Sequence, residues 1–198
     1  MLCLKVIRDT KIRSLHIDMK FVEIQSKNFI NIVESKFSIE FHNYLIKLIE
    51  NNLCNSWNSD GPQRTEWDFF CTQNSNKCIE FRQWLFAQLT NSLPIERLSG
   101  IPPEEYNFFL KKIQLTKCWG VVYNKGQWAT EHNHMPFTHS FVYYLRTPEN
   151  SSPIVMENNT FFVKENDCIF FPSHINHSVP PNQCDGRYVI AGNFNWVS

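Results

Sequence analysis

Three of the chain's seven histidines, His132, His134 and His139, fall within eight residues in the stretch GQWATEHNHMPFTHSFVYYL, Gly126 to Leu145. Residues two apart on a β-strand point to the same face. The H-x-H spacing of His132 and His134 therefore predicts two imidazoles side by side, with Trp128 and Thr130 on the same face. Two imidazoles make half of a metal site. A further pair, His174 and His177, stands at the end of an apolar run in FFPSHINHSVPP. His132, His134 and His177 are the candidate metal ligands, and Trp128, His139 and His174 are placed around them as substrate-pocket residues. Three histidines suit zinc with a water in the fourth position, and they equally suit Fe(II) in a site with positions open to substrate and oxygen. Ligand type alone leaves the metal open.

Beyond His177 stands Arg187, at the head of RYVIAGNF. On a strand, Arg187, Val189, Ala191 and Asn193 face one way, and Tyr188, Ile190, Gly192 and Phe194 the other. A guanidinium binds a carboxylate through two parallel hydrogen bonds. Val189 and Ala191 leave room for a ligand, and Asn193 adds a polar group on the same face. A metal with a carboxylate-binding arginine nearby describes a site for a dicarboxylic co-substrate that chelates the metal.

The elements that must position these residues fall into two stretches. Residues 1–113 read as a helical support region within a single domain. SIEFHNYLIKLIENNL has Phe41, Leu45, Leu48 and Ile49 at helical spacing behind Ser38, a suitable N-cap. KCIEFRQWLFAQLTNSLP repeats the pattern at Phe81, Leu85 and Leu89, with Pro94 as its stop. A short third helix is predicted in IPPEEYNFFLKK. Between the first two, NSWNSDGPQRTEWDFF reads as a loop leading into a strand, and its Trp57 and Trp67 could form a lid. From 114 to 198 the pattern changes to eight short strands: IQLTKCWGVVY, QWATEHNH, SFVYYLR, SPIVME, NTFFVK, DCIFFP, HSV and RYVIAGNF. Turn residues separate them, as at Asn158-Asn159 and Asp185-Gly186. Eight strands so spaced predict a double-sheet jelly roll. The expected fold is thus α+β, mainly β, with the N-terminal helices packed on one sheet.

Composition narrows the function classes. The chain has 198 residues, and its 19 Lys plus Arg balance 19 Asp plus Glu. A chain this long buries a core without a structural metal, and zero net charge gives no field for nucleic acid. Seven cysteines without a C-x-x-C pair and no signal-like opening segment lead us to expect a reducing, cytoplasmic setting. No window approaches 18 apolar residues, so no membrane span is expected.

The ordered set YNKGQWATEHNH, SFVYYL, FPSHINH, SVPP and RYVIAGNF resembles the double-stranded β-helix core of the 2-oxoglutarate/Fe(II)-dependent oxygenases, especially their prolyl-4-hydroxylase-like branch. The resemblance covers residues 118–196. It implies that His132 and His177 are iron ligands and that Arg187 binds the distal carboxylate of 2-oxoglutarate. Tyr144 or Ser140, on the strand after the first ligands, would add a hydrogen bond to that co-substrate. Two positions depart from the family pattern: His134 stands where an H-x-D/E motif has a carboxylate, and Val189 where a serine is frequent.

The same residues also resemble the first cupin motif, with His134 in place of its glutamate. That resemblance implies a three-histidine dioxygenase acting without 2-oxoglutarate. A non-catalytic jelly-roll binding module is the remaining alternative. On the first resemblance the cofactors are Fe(II), 2-oxoglutarate and O2, and the chemistry is hydroxylation of a peptidyl side chain or a small molecule. Trp128, with Phe141 or Tyr143, is expected to keep the centre dry.

Overall fold

Strand alternation sorts the molecule into layers. The computed structural model describes residues 6–9, 19–24, 29–54, 60–92 and 112–197. Within them twelve strands form two sheets. The larger runs in the order β1 (Val6–Asp9), β2 (Met19–Glu23), β3 (Phe29–Glu34), β10 (Asp167–Pro172), β7 (His139–Arg146), β12 (Arg187–Trp196), β5 (Ile113–Tyr123), β4 (Gln63–Arg64). The smaller runs β6 (Ala129–His132), β11 (His177–Val179), β8 (Ile154–Met156), β9 (Asn159–Phe161). The double-sheet jelly roll with helices on one sheet is the fold expected from the strand pattern, and each of the eight stretches named from 114 onward contains a strand.

β12 carries the argument for the layers. Tyr188, Ile190 and Phe194 join one buried cluster, while Val189 and Ala191 join another on the opposite face. The first cluster is closed by two helices. α1 (Ile39–Glu50) begins at Ser38, whose Oγ accepts from the Phe41 N–H at 3.3 Å, and it buries Phe41, Leu45 and Ile49 against the larger sheet. α3 (Asn76–Ser92) adds Phe81, Leu85 and Leu89, all fully buried. Each such side chain contributes about 1.5–3 kcal/mol on burial. Gly120 of β5 lets α1 approach, because a methyl there would collide with the Ile49 side chain.

Two differences from the sequence reading concern the N-terminal stretch. It is not purely helical: β1, β2 and β3 extend the larger sheet, with β3 pairing antiparallel to β10 from Asn31↔Phe170 to Glu34↔Asp167. The aromatic end of NSWNSDGPQRTEWDFF is not a strand either. The chain forms the two-residue β4, then the short helix α2 (Phe69–Thr72). The helix expected in IPPEEYNFFLKK, up to its last lysine, lies outside the described residues, as does Trp57. No helix among the described residues is long and apolar enough to cross a membrane.

Candidate metal and co-substrate site

The second face of β12 looks into a cavity of about 500 Å³ between the two sheets, within the range of small-molecule sites. Three histidines meet at its wall. His177 on β11 is the cross-strand partner of His132 on β6. From His177 to Val179 the register advances two residues, while from His132 to Ala129 it advances three, so β6 carries a bulge. The extra residue resets the alternation, and Ala129 and His132 both line the cavity. Trp128, expected beside His132, is thereby turned out: it is 41% exposed and does not line the cavity.

His134 reaches the group by another route than the strand pattern predicted, since β6 ends at His132. Its backbone N–H donates to the Ser173 carbonyl at 2.8 Å, and its ring lies nearly parallel to Trp119, with centroids 5.8 Å apart. One ligand atom from each of His132, His134 and His177 lies within 4.8 Å of the others. Among the described residues no carboxylate joins them.

The far side of each ring decides what the near side can do. His132 Nδ1 lies 2.7 Å from the Thr130 carbonyl oxygen, and His177 Nδ1 lies 3.1 Å from that of Ile175. A carbonyl oxygen only accepts, so both Nδ1 atoms carry the proton and donate. His134 Nδ1 donates in the same way to Asn193 Oδ1 at 2.6 Å, and the Ser140 hydroxyl donates to that oxygen at 2.9 Å. All three Nε2 lone pairs are therefore free for one cation, in the arrangement that orients metal-binding imidazoles. Burial, reinforced by repulsion from His132 and His134, pushes His177 down to about 3. Burial likewise lowers His134 to about 4. Both rings are neutral at pH 7.

The other end of the same β12 face holds Arg187, 1% exposed, with no hydrogen-bond acceptor among the described residues for Nε, Nη1 or Nη2. Its guanidinium carbon sits 4.8 Å from the Tyr123 ring centroid and 5.3 Å from that of Tyr144. The Tyr144 hydroxyl is also buried without a partner. Burial raises the pKa of both phenols, against the opposing pull of the Arg187 cation. An isolated buried charge costs several kcal/mol. Three orphaned guanidinium nitrogens and an orphaned phenol side by side fit an anion with two oxygens.

The remaining sequence candidates sort plainly. Tyr144 and Asn193 line the cavity. Ser140 does not: its hydroxyl is committed to Ser173 Oγ at 2.8 Å and to Asn193, so it acts on His134 through Asn193 and faces no co-substrate. Asn193, placed beside the co-substrate by the sequence, lines the cavity and holds the His134 ring. His139 is outside the lining; burial, with repulsion from His174, lowers it to about 4, and its Nδ1 has no partner. His174 is exposed and also outside the lining. Phe141 and Tyr143 pack on the helix side of the sheet, away from the site. The sequence reading missed Lys117, Trp119 and Tyr123, which line the cavity from alternate positions of β5, and Arg64; Trp67, expected in a lid, lines the cavity too. The period of two in KCWGVVY could have found the first three.

No protein-family model and no curated protein matches the chain. Solved structures do match its fold. The viral collagen prolyl hydroxylase of Paramecium bursaria Chlorella virus-1, in its 2-oxoglutarate complex, is 13% identical with a TM-score of 0.62, over 85% of this chain and 96% of that one. A Pseudomonas putida prolyl-4-hydroxylase is 15% identical with a TM-score of 0.63, over 87% and 95%. HygX from Streptomyces hygroscopicus, with nickel and 2-oxoglutarate bound, is 11% identical with a TM-score of 0.54, over 85% and 83%. The likeness is one of fold: this chain has the jelly roll of the 2-oxoglutarate/Fe(II)-dependent oxygenases.

Proposed function

We propose that the chain is an iron- and 2-oxoglutarate-dependent oxygenase that hydroxylates a small molecule or a peptidyl side chain. The observation that carries this reading is Arg187, buried and unpartnered among the described residues, lining the same cavity as the three free Nε2 atoms. A metal alone would account for the histidines, but only an anion accounts for the arginine. 2-Oxoglutarate supplies both ends, a 2-oxo acid to chelate and a distal carboxylate to clamp.

Fe(II) held by His132, His134 and His177 would supply oxygen activation coupled to oxidative decarboxylation of 2-oxoglutarate to succinate. The chain's own residues do the rest. Arg187 and Tyr144 fix the distal carboxylate through charge-assisted hydrogen bonds. Val189 and Ala191 leave the co-substrate's path along β12 open. Asn193, Thr130 and Ile175 hold the ligand rings in their donor tautomers, and Trp119 shields the His134 face from water. The three ligands are neutral, so the metal keeps one more positive charge than in a site of two histidines and a carboxylate. That weakens cation binding and favours an anionic chelator.

Structures of the same fold offer both substrate types by name: one is a prolyl hydroxylase in complex with a peptide fragment of hypoxia inducible factor, and another is HygX with hygromycin B. The carboxylate-free ligand set also favours a second reading, a three-histidine dioxygenase acting without 2-oxoglutarate. That reading leaves Arg187 unexplained. One anaerobic experiment separates them. Protein loaded with Fe(II) should develop the weak visible charge-transfer band of a chelate when 2-oxoglutarate is added. Iron binding without the band favours the second reading, and no iron binding leaves a non-catalytic module.

A further inference from the structure

The cavity is cationic at both ends, and one co-substrate cannot answer both. Along β5, Lys117, Trp119, Val121 and Tyr123 line it from alternate positions. Tyr123 pairs with Arg187 and Lys117 with Asn193. Those two ladder positions are six residues apart, roughly 20 Å at about 3.3 Å per residue. The two carboxyl carbons of a five-carbon diacid lie only about 6 Å apart, from C–C bonds of about 1.5 Å. A 2-oxoglutarate clamped at Arg187 therefore leaves Lys117 untouched. His134 is bonded to Asn193, the residue opposite Lys117, so Lys117 stands at the metal end of the ladder, away from the clamp.

The wall between them is aromatic. The His134 ring lies 20° from parallel with Trp119; Trp67 meets Trp119 edge-on at 4.7 Å; and the Arg64 guanidinium lies 3.8 Å over the Trp67 ring. Among the described residues the lining holds Arg64, Lys117 and Arg187 but no Asp or Glu. The dianionic co-substrate is taken up by the divalent metal and Arg187, which leaves the Lys117 charge to be met by something else.

We infer that the substrate is itself an anion, a carboxylate or phosphate carried on a flat apolar body, and that Lys117 is the residue that selects it. The body packs against Trp119, and Lys117 meets the charge. This rests on the functional reading above, since that reading assigns the Arg187 end to the co-substrate.

The test uses phenylacetate, phenyl phosphate and neutral phenylacetamide, titrated calorimetrically into anaerobic protein saturated with Fe(II) and 2-oxoglutarate. Both anions, or one of them, should bind on the order of tenfold more tightly than the amide, and the tighter of the two names the charged group. Lys117→Met should bring anion and amide to parity, and Lys117→Glu should invert the preference, both with unchanged 2-oxoglutarate affinity. Equal binding of all three probes to the wild type, or a preference that survives both substitutions, overturns the proposal. If 2-oxoglutarate itself fails to bind, the functional reading has failed. The same panel on Arg187→Met protein then decides about Lys117 alone: a preference that Lys117→Glu removes upholds it, and no preference refutes it.

Discussion

Tyr143 and Tyr144 are neighbours on one strand, chemically identical and both fully buried, yet their hydroxyls meet opposite fates. On the helix side, Tyr143 Oη lies 2.8 Å from Ser35 Oγ, 2.7 Å from His42 Nε2 and 3.2 Å from Asn166 Oδ1. On the cavity side, Tyr144 Oη has no partner, and neither has any nitrogen of Arg187 beside it. The two faces of the larger sheet differ in this respect more than in burial. Where the chain completes its own hydrogen bonds, as around Tyr143, the polar groups hold the fold together, tying β7 to α1 and to the segment after β3. Where it leaves buried donors open, as around Arg187, it has built toward something that arrives later.

The comparison breaks most visibly at the metal ligands. His177→Ala and His134→Ala should each lose Fe(II) binding by at least about a hundredfold in anaerobic dialysis. Asn193→Ala, which removes only the acceptor for His134 Nδ1, should cost about 10- to 100-fold. His174→Ala should change nothing. A His134→Ala protein that binds iron like wild type would mean that another group completes the site.

The next effect separates the two phenols. Tyr143→Phe removes the hydroxyl shared by Ser35, His42 and Asn166, leaving only the Ser35–Asn166 bond of that cluster, and should destabilise the chain by about 1–3 kcal/mol in urea unfolding. Tyr144→Phe strands nothing in the ligand-free protein. Its stability should stay within about 0.5 kcal/mol of wild type, with 2-oxoglutarate binding weakened by about fivefold through one lost hydrogen bond. Equal destabilisation by the two would remove the distinction between the faces.

A separate effect lies in pH. Burial holds His177 at about 3, and His134 and His139 at about 4, against an ordinary value of 6.5. Below pH 6.5 the unfolded chain takes up protons that the folded chain refuses. The stability of the metal-free protein is thus full above pH 6.5 and falls as the pH drops toward these folded values. By pH 5 the loss approaches about 2 kcal/mol for each ring. Urea midpoints that coincide at pH 7 and pH 5 would contradict this.

Much of this was legible in the sequence, because the informative contacts follow local periods. The period of two placed Arg187, Val189, Ala191 and Asn193 on one face of β12, and the helical period placed Phe81, Leu85 and Leu89 against the sheet. What escaped depends on distant partners. FINIVE buries Ile30, Asn31 and Val33 without a clean alternation, and it becomes a strand by pairing with β10, more than a hundred residues away. The bulge that turns Trp128 outward exists only in the pairing of β6 with β11. Ser140 and Asn193 likewise owe their places to His134, which no spacing rule connects to them.

The central claim is that the open donors at Arg187 await the far carboxylate of a 2-oxo acid. The most direct measurement compares 2-oxoglutarate with 2-oxovalerate, which chelates a metal alike but lacks that carboxylate, by calorimetry on the anaerobic Fe(II) protein. The account predicts that 2-oxoglutarate binds about a hundredfold more tightly, and that Arg187→Met, which keeps the apolar stem, abolishes the difference. Equal affinity of the wild type for the two acids would contradict it.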